Sequence, residues 1–125
     1  MTTTTPANDP ANEQIARRHP YPTLVIENDP VPLYIAPGGA VRVTGTRIPL
    51  ENIVWGYERG STPEDIVGDF DTLQLADVYA VIAYFLRHRA EVMEYVRAVE
   101  ALEEQIEQEL EAQAGLAALR EQIET

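Results

Sequence analysis

His88 and Glu91 stand three residues apart, a spacing that puts two metal-ligand side chains on one face of a helix. Two donors do not close a site, and the other histidine, His19, lies far away near the N-terminus. His88 therefore reads as a surface histidine, and no metal ligands are assigned. Asp65, Asp69 and Asp71 are close in sequence, but each falls where a helix end or a turn favours a short acidic side chain. Gly38-Gly39 follows Pro37 and reads as a hairpin turn, because a phosphate-cradling loop needs a longer glycine pattern opening a helix. The absence of cysteine excludes disulfides and thiolate metal sites. No nucleophile stands with a base and an orienting group, so the chain reads as non-enzymatic, without cofactors, and built for binding.

The groups suited to binding are arginine and acid. All nine basic residues are arginine. A guanidinium makes bidentate contacts with phosphate, guanine or carboxylate, although all-arginine usage is also what a GC-rich coding sequence produces. The formal net charge of −12 is unevenly spread. Residues 1–39 and 40–90 carry −2 each, whereas residues 91–125 hold ten acids against two bases, or −8. The acidity belongs mostly to the C-terminal tail.

The elements that must position these groups follow from punctuation and periodicity. The fold class expected is α+β, mainly α: a small N-terminal β-hairpin unit, a helix-turn-helix core and a long acidic C-terminal helix. Residues 1–22, rich in threonine, asparagine and proline, read as a flexible arm with a small basic spot at Arg17, Arg18 and His19. Residues 23–90 form the β-hairpin plus helix-turn-helix domain, and residues 91–125 an acidic amphipathic helix. Thr23–Glu27 reads as a strand, Asn28-Asp29-Pro30 as a turn, Val31–Ala36 as a second strand and Val41–Thr44 as a third. Leu33–Ile35 and Val41–Val43 then make a hairpin too small to stand alone.

Leu50, Ile53, Val54 and Tyr57 occupy i, i+3, i+4 and i+7, which predicts a first helix over Leu50–Arg59 ended by Gly60. Ser61-Thr62-Pro63-Glu64 is a capping-box signal that opens a second helix running to Asp69. Asp71 or Thr72 is positioned to cap a third helix from Leu75, with Val78, Val81, Ile82 and Phe85 inward. Little or no break is expected after Arg89. Val92, Tyr95, Val99, Leu102 and Ile106 continue in alternating three- and four-residue steps, a heptad seam over two repeats. Beyond Ile106 the seam fails, since Glu109, Gln113 and Arg120 fall where apolar residues belong.

The runs RVTGTRIPLENIVWGYERGSTPEDIV and LADVYAVIAYFLRHRAEV, together close to half the chain from Val41 to Glu94, resemble the domain-of-unknown-function 433 family. The GTRIP-turn-helix-GSTPE run is the specific part. Position 74 is glutamine where that family often has serine, which removes one helix cap. The resemblance implies a small winged or helix-turn-helix protein. Several such proteins are regarded as antitoxins related to the VapB group, encoded beside PIN-like ribonuclease toxins. It thus implies DNA binding at the helix-turn-helix and partner binding at the tail.

On that reading the third helix enters the major groove. Gln74 and Asp77 lie near its start, and Arg42, Arg47 and Arg59 contact phosphates. The net negative charge of this segment opposes DNA binding. The apolar character of the third helix points instead to an interface between two copies, with Trp55, Tyr84, Phe85 and Leu86 as its residues. The tail offers Val99, Leu102, Ile106 and Leu110 to a partner. Two functions follow. The first is an antitoxin-like protein that dimerises, binds operator DNA and masks a PIN-like nuclease with its acidic tail. The second is a dimeric scaffold that uses the same core for protein contact without DNA. The chain shows no 18-residue apolar run and no secretion signal, so a cytoplasmic location is expected.

Overall fold

Pro37, Gly38 and Gly39 reverse the chain, the two glycines adopting φ values of 93° and 98° that other residues resist. They close a hairpin of β1, Leu33–Ile35, and β2, Val41–Val43, antiparallel with Leu33 opposite Val43 and Ile35 opposite Val41. The computed structural model describes residues 10–124. Within them the hairpin is followed by α2, Leu50–Glu58, α3, Pro63–Asp69, α4, Leu75–Arg87, and α5, Arg89–Glu124, and preceded by α1, Pro10–Arg18. The architecture is the expected one: mainly helical, with a two-stranded hairpin ahead of a helix-turn-helix and a long C-terminal helix.

The predicted apolar stripes meet in one core. Ile53, Val54, Ile66, Val78, Val81 and Phe85 are all at most 2% exposed, and Val43 brings the hairpin onto them. Gly56 lets α3 approach α2 closely: a Cβ there would stand 3.2 Å from Ile66. The core continues into the start of α5 through Val92 and Val96 and stops there. Every residue from 101 to 124 is exposed. At about 1.5 Å per residue those 24 residues form an exposed helical rod about 36 Å long.

Four local expectations are corrected. The capping box lies one residue later than Ser61 and Glu64. Thr62 accepts from the Asp65 N–H, and the Asp65 carboxylate accepts from the Thr62 N–H, each at 3.1 Å, so that Pro63 takes the first helical position. Neither Asp71 nor Thr72 caps α4; its N-cap is Gln74, which makes no side-chain cap bond. The helices do break after α4, at His88, whose φ of −125° and ψ of 38° leave the helical region. Residues 10–18 are helical rather than irregular, with Glu13 in the first turn and Arg17 and Arg18 in the last, as the helix dipole favours. Of the rest of the expected arm, residues 19–22 are irregular and residues 1–9 lie outside the described residues.

The strand expected at Thr23–Glu27 is absent. The segment forms no ladder, turn or bend, with Leu24, Val25 and Ile26 exposed, and the turn expected at Asn28-Asp29-Pro30 is absent as well. Phe85, expected at a dimer surface, is 1% exposed and belongs to the monomer's own core.

The capping geometry gives a discriminating pair of variants. Thr62→Ala should lower folding stability by about 1 kcal/mol, read as a reduced urea midpoint, whereas Ser61→Ala should leave the midpoint unchanged.

Candidate functional site

The helix-turn-helix is α3, the five-residue turn 70–74, and α4. Leu73 anchors the turn in the core, and its N–H donates to the Phe70 carbonyl at 3.1 Å. Buried Val78, Val81, Ile82 and Phe85 fix the inner face of α4. Its outer face is Leu75, Ala76, Tyr79, Ala83 and Leu86. α4 is thus not buried all round; it presents a small apolar surface. Tyr79 lies in the middle, its hydroxyl donating to both carboxylate oxygens of Glu64 at 3.1 and 3.2 Å. That bond, with smaller help from local desolvation and the Glu64 charge, holds the Tyr79 phenol above its usual pKa.

Charge decides what such a surface can meet. From residue 60 to 86 the chain holds Glu64, Asp65, Asp69, Asp71 and Asp77 and no basic residue. Phosphate contacts supply most nonspecific DNA affinity, so any such contact must come from Arg87 in the last turn of α4 or from outside the two helices. The three candidate arginines are dispersed. Arg42 is on β2, bridged to Pro49, and lines a groove with Glu51, Leu102 and Glu103. Arg59 caps the end of α2 and shares a pocket with Trp55, Asp69 and Phe70. Arg47 is exposed on the loop before α2 and lines a shallow depression with Tyr34, Pro49 and Thr72. Arg47 meets the turn that leads to Gln74 at Thr72, and Arg59 meets it at Phe70; Arg42 does not reach it. Asp77, half-buried, places a negative charge in the first turn of α4.

The residues expected between two copies also separate. Tyr84 packs against the His88 ring, centroids 4.4 Å apart, and lines a cavity under the hairpin. Trp55 borders a groove with Arg89, Met93 and Arg97. Leu86 is exposed, and Phe85 is enclosed. His88 and Glu91 approach to 3.9 Å, and no cluster of three metal-ligating side chains exists among the described residues.

The tail residues are arranged along α5 as periodicity required. Val99 is half-buried against the hairpin side, while Leu102, Ile106 and Leu110 are 54%, 46% and 60% exposed. Around them stand Glu103, Glu104, Glu107, Glu109 and Glu111. Among the described residues no helix is long and apolar enough to cross a membrane.

Sequence reasoning missed Glu51. It sits in the first turn of α2, and its Oε1 is buried without a hydrogen-bond partner. Burial raises its carboxyl pKa above the usual range; the backbone N–H of Glu51 opposes this and the charge of Glu103 adds to it. The only hint was an acid interrupting the apolar stripe of α2, and nothing local shows that α5 would cover it.

Residues 37–85 match the family described as a protein of unknown function (DUF433). The match runs from the hairpin turn to the end of the buried face of α4 and stops before α5. No curated protein and no solved structure matches the chain.

Glu51 gives a pH prediction. A folded pKa raised above the unfolded one contributes stability at low pH that is lost as pH rises through the folded value. Ionised Glu51 is thus carried at a cost at neutral pH. Glu51→Gln should raise the urea midpoint at pH 7, and the gain should shrink toward zero as pH falls below about 4, the ordinary glutamate pKa.

Proposed function

We propose that this protein, whose residues 37–85 match DUF433, is a non-enzymatic, antitoxin-like binding protein. In this reading it dimerises and masks the basic RNA groove of a PIN-like nuclease with the free part of α5, in the cytoplasm. The observation that carries the reading is the exposed rod itself. Residues 101–124 hold seven acids and one arginine, expose Leu102, Ile106 and Leu110, and bury no side chain in the core. Glu100 with Glu104 and Glu107 with Glu111 are like-charge i, i+4 pairs, each unfavourable by about 0.2–0.5 kcal/mol. An isolated helix of this kind is weakly stable in water. A groove with an apolar floor and a basic rim relieves both defects: it buries the leucines and isoleucine and pairs the glutamates. A nuclease must offer such a rim to hold phosphates.

Operator binding is the second reading, favoured by the position of Arg47 beside the turn that leads to Gln74. The lack of any base between residues 60 and 86 weighs against it and favours the core as a surface for protein.

Deleting residues 100–125 should leave the far-ultraviolet and thermal signature of the core in place while abolishing capture of the nuclease encoded beside it. Binding of the full chain to that nuclease should weaken as salt rises from 50 to 500 mM, because the charged rim is open to screening. A truncated chain that binds at full strength contradicts the proposal. For the second reading, Arg47→Ala should reduce operator retardation with an unchanged melting temperature; no retardation by the native chain removes it.

A further inference from the structure

The hairpin has one closed edge and one open edge. Ala36 N–H donates to Ala40 and Thr44 N–H to Pro32, at 2.7 and 2.9 Å. Hydrogen-bonded pairs alternate along an antiparallel ladder, so Tyr34 and Arg42 form the bonded pair between them. On β2 the outward N–H groups are used: Val41 donates to the Tyr95 hydroxyl at 2.8 Å and Val43 to the Ile48 carbonyl at 3.0 Å. On β1 the outward Leu33 N–H turns back to the Val31 carbonyl at 2.8 Å, which leaves the Leu33 carbonyl and both main-chain groups of Ile35, and the Ile35 side chain is 75% exposed. Beside this edge lies an apolar cavity of about 360 Å³ lined by Leu33, Ile35, Val41, Tyr84, Val92 and Tyr95.

The same chain carries a strand without a sheet. Thr23–Glu27 has strand composition, is free of turns and bends, and exposes Leu24, Val25 and Ile26 at 82%, 76% and 86%. It does not fold back on its own β1, and the sequence explains why. Asp29 and Val31 each precede a proline, which holds both extended. Residues 20–31 accordingly run without a turn or bend. Asn28 and Pro30, separated by the extended Asp29, are left to reverse the chain, and a tight reversal needs two adjacent turn residues.

We propose that Thr23–Glu27 of one copy pairs antiparallel with β1 of a second copy, and reciprocally. The interface deepens the dimer part of the proposed function and is independent of its nuclease and DNA parts. With Leu24 opposite Ile35 and Ile26 opposite Leu33, both apolar side chains share the core face of the hairpin and enter the cavity. Val25 lies on the Tyr34 face. The direction also suits charge. Upstream of Thr23 the donated chain runs toward the Gly38-Gly39 turn, where Glu51 and Glu103 line a groove. The basic end of α1, Arg17 and Arg18, is five residues from Thr23, within about 17 Å of extended chain. Exchange of a segment across a proline-held hinge is a low-cost route to a symmetric dimer.

The chain has no cysteine, so introduced thiols report unambiguously. Bonded cross-strand residues lie about 5.5 Å apart at Cα, within disulfide reach. Full-length Leu24→Cys and Ile35→Cys chains, mixed and oxidised, should give a disulfide-linked heterodimer that neither gives alone. Leu24→Asp with Ile26→Asp should convert the native dimer to a monomer in sedimentation, with helix content retained. Three outcomes overturn the proposal: no crosslink in the mixture, an intramolecular bridge in a monomeric Leu24→Cys/Ile35→Cys chain, or a dimer from Ile35→Cys alone, which means β1 pairs with β1. None of these readouts involves nuclease or DNA, so their failure leaves the masking proposal standing.

Discussion

The junction at Phe85 sets the direction of everything that follows it. The Phe85 ring is enclosed at the end of α4, with Tyr57 of α2 edge-on to it at 6.1 Å and 77°. The Arg89 guanidinium lies 4.8 Å from the ring centroid on another side and pairs with Glu58 of α2. Arg89 is the first residue of α5, so one aromatic side chain fixes α2, α4 and the start of α5 together. The His88 break lies beside these contacts. The chain leaves α4 with the His88 N–H shared between the Tyr84 and Phe85 carbonyls, and α5 begins in a new direction with the Val92 N–H on the His88 carbonyl. Removing a buried phenylalanine typically costs about 3–5 kcal/mol, a large share of what a domain of this size holds.

From that junction the molecule divides by charge and by cohesion. The core, from the hairpin to Val96, is apolar inside and mildly acidic outside. The exposed length of α5 has almost no cohesion of its own and most of the charge. A segment built this way belongs to the low-stability end of a structure, the part that orders on contact with something else. The helix-turn-helix carries five acids and no base between residues 60 and 86, which disfavours phosphate contact over that span. A helix-turn-helix by itself does not set function.

What was legible in the sequence was what local rules control. The stripe of Leu50, Ile53, Val54 and Tyr57, the proline at the start of α3 and the glycine turn of the hairpin each act within a few residues. Those elements appear where periodicity and punctuation put them. The His88 break carries no proline or glycine, and beside it Arg89 reaches Phe85 and Glu58, tertiary contacts that no local rule shows. The stripe of Val78, Val81 and Ile82 already turned Phe85 inward and left Leu86 off it, and the structure has Phe85 enclosed and Leu86 open. Thr23–Glu27 has every local sign of a strand, and lacks only an edge within its own reach. The dispersal of Arg42, Arg47 and Arg59 was invisible for the same reason: it depends on where the hairpin and α5 lie.

The central claim is that α5 is a folded continuation of the core as far as Val96 and an unsupported binding helix beyond it. Amide hydrogen exchange along the full chain tests this directly. Amides of α4 and of α5 through Val96 should exchange only by global unfolding, while those from residue 101 to 124 should exchange at least a hundredfold faster. Equal protection over the whole of α5 in the free chain would show that the tail is already packed, and would contradict the account.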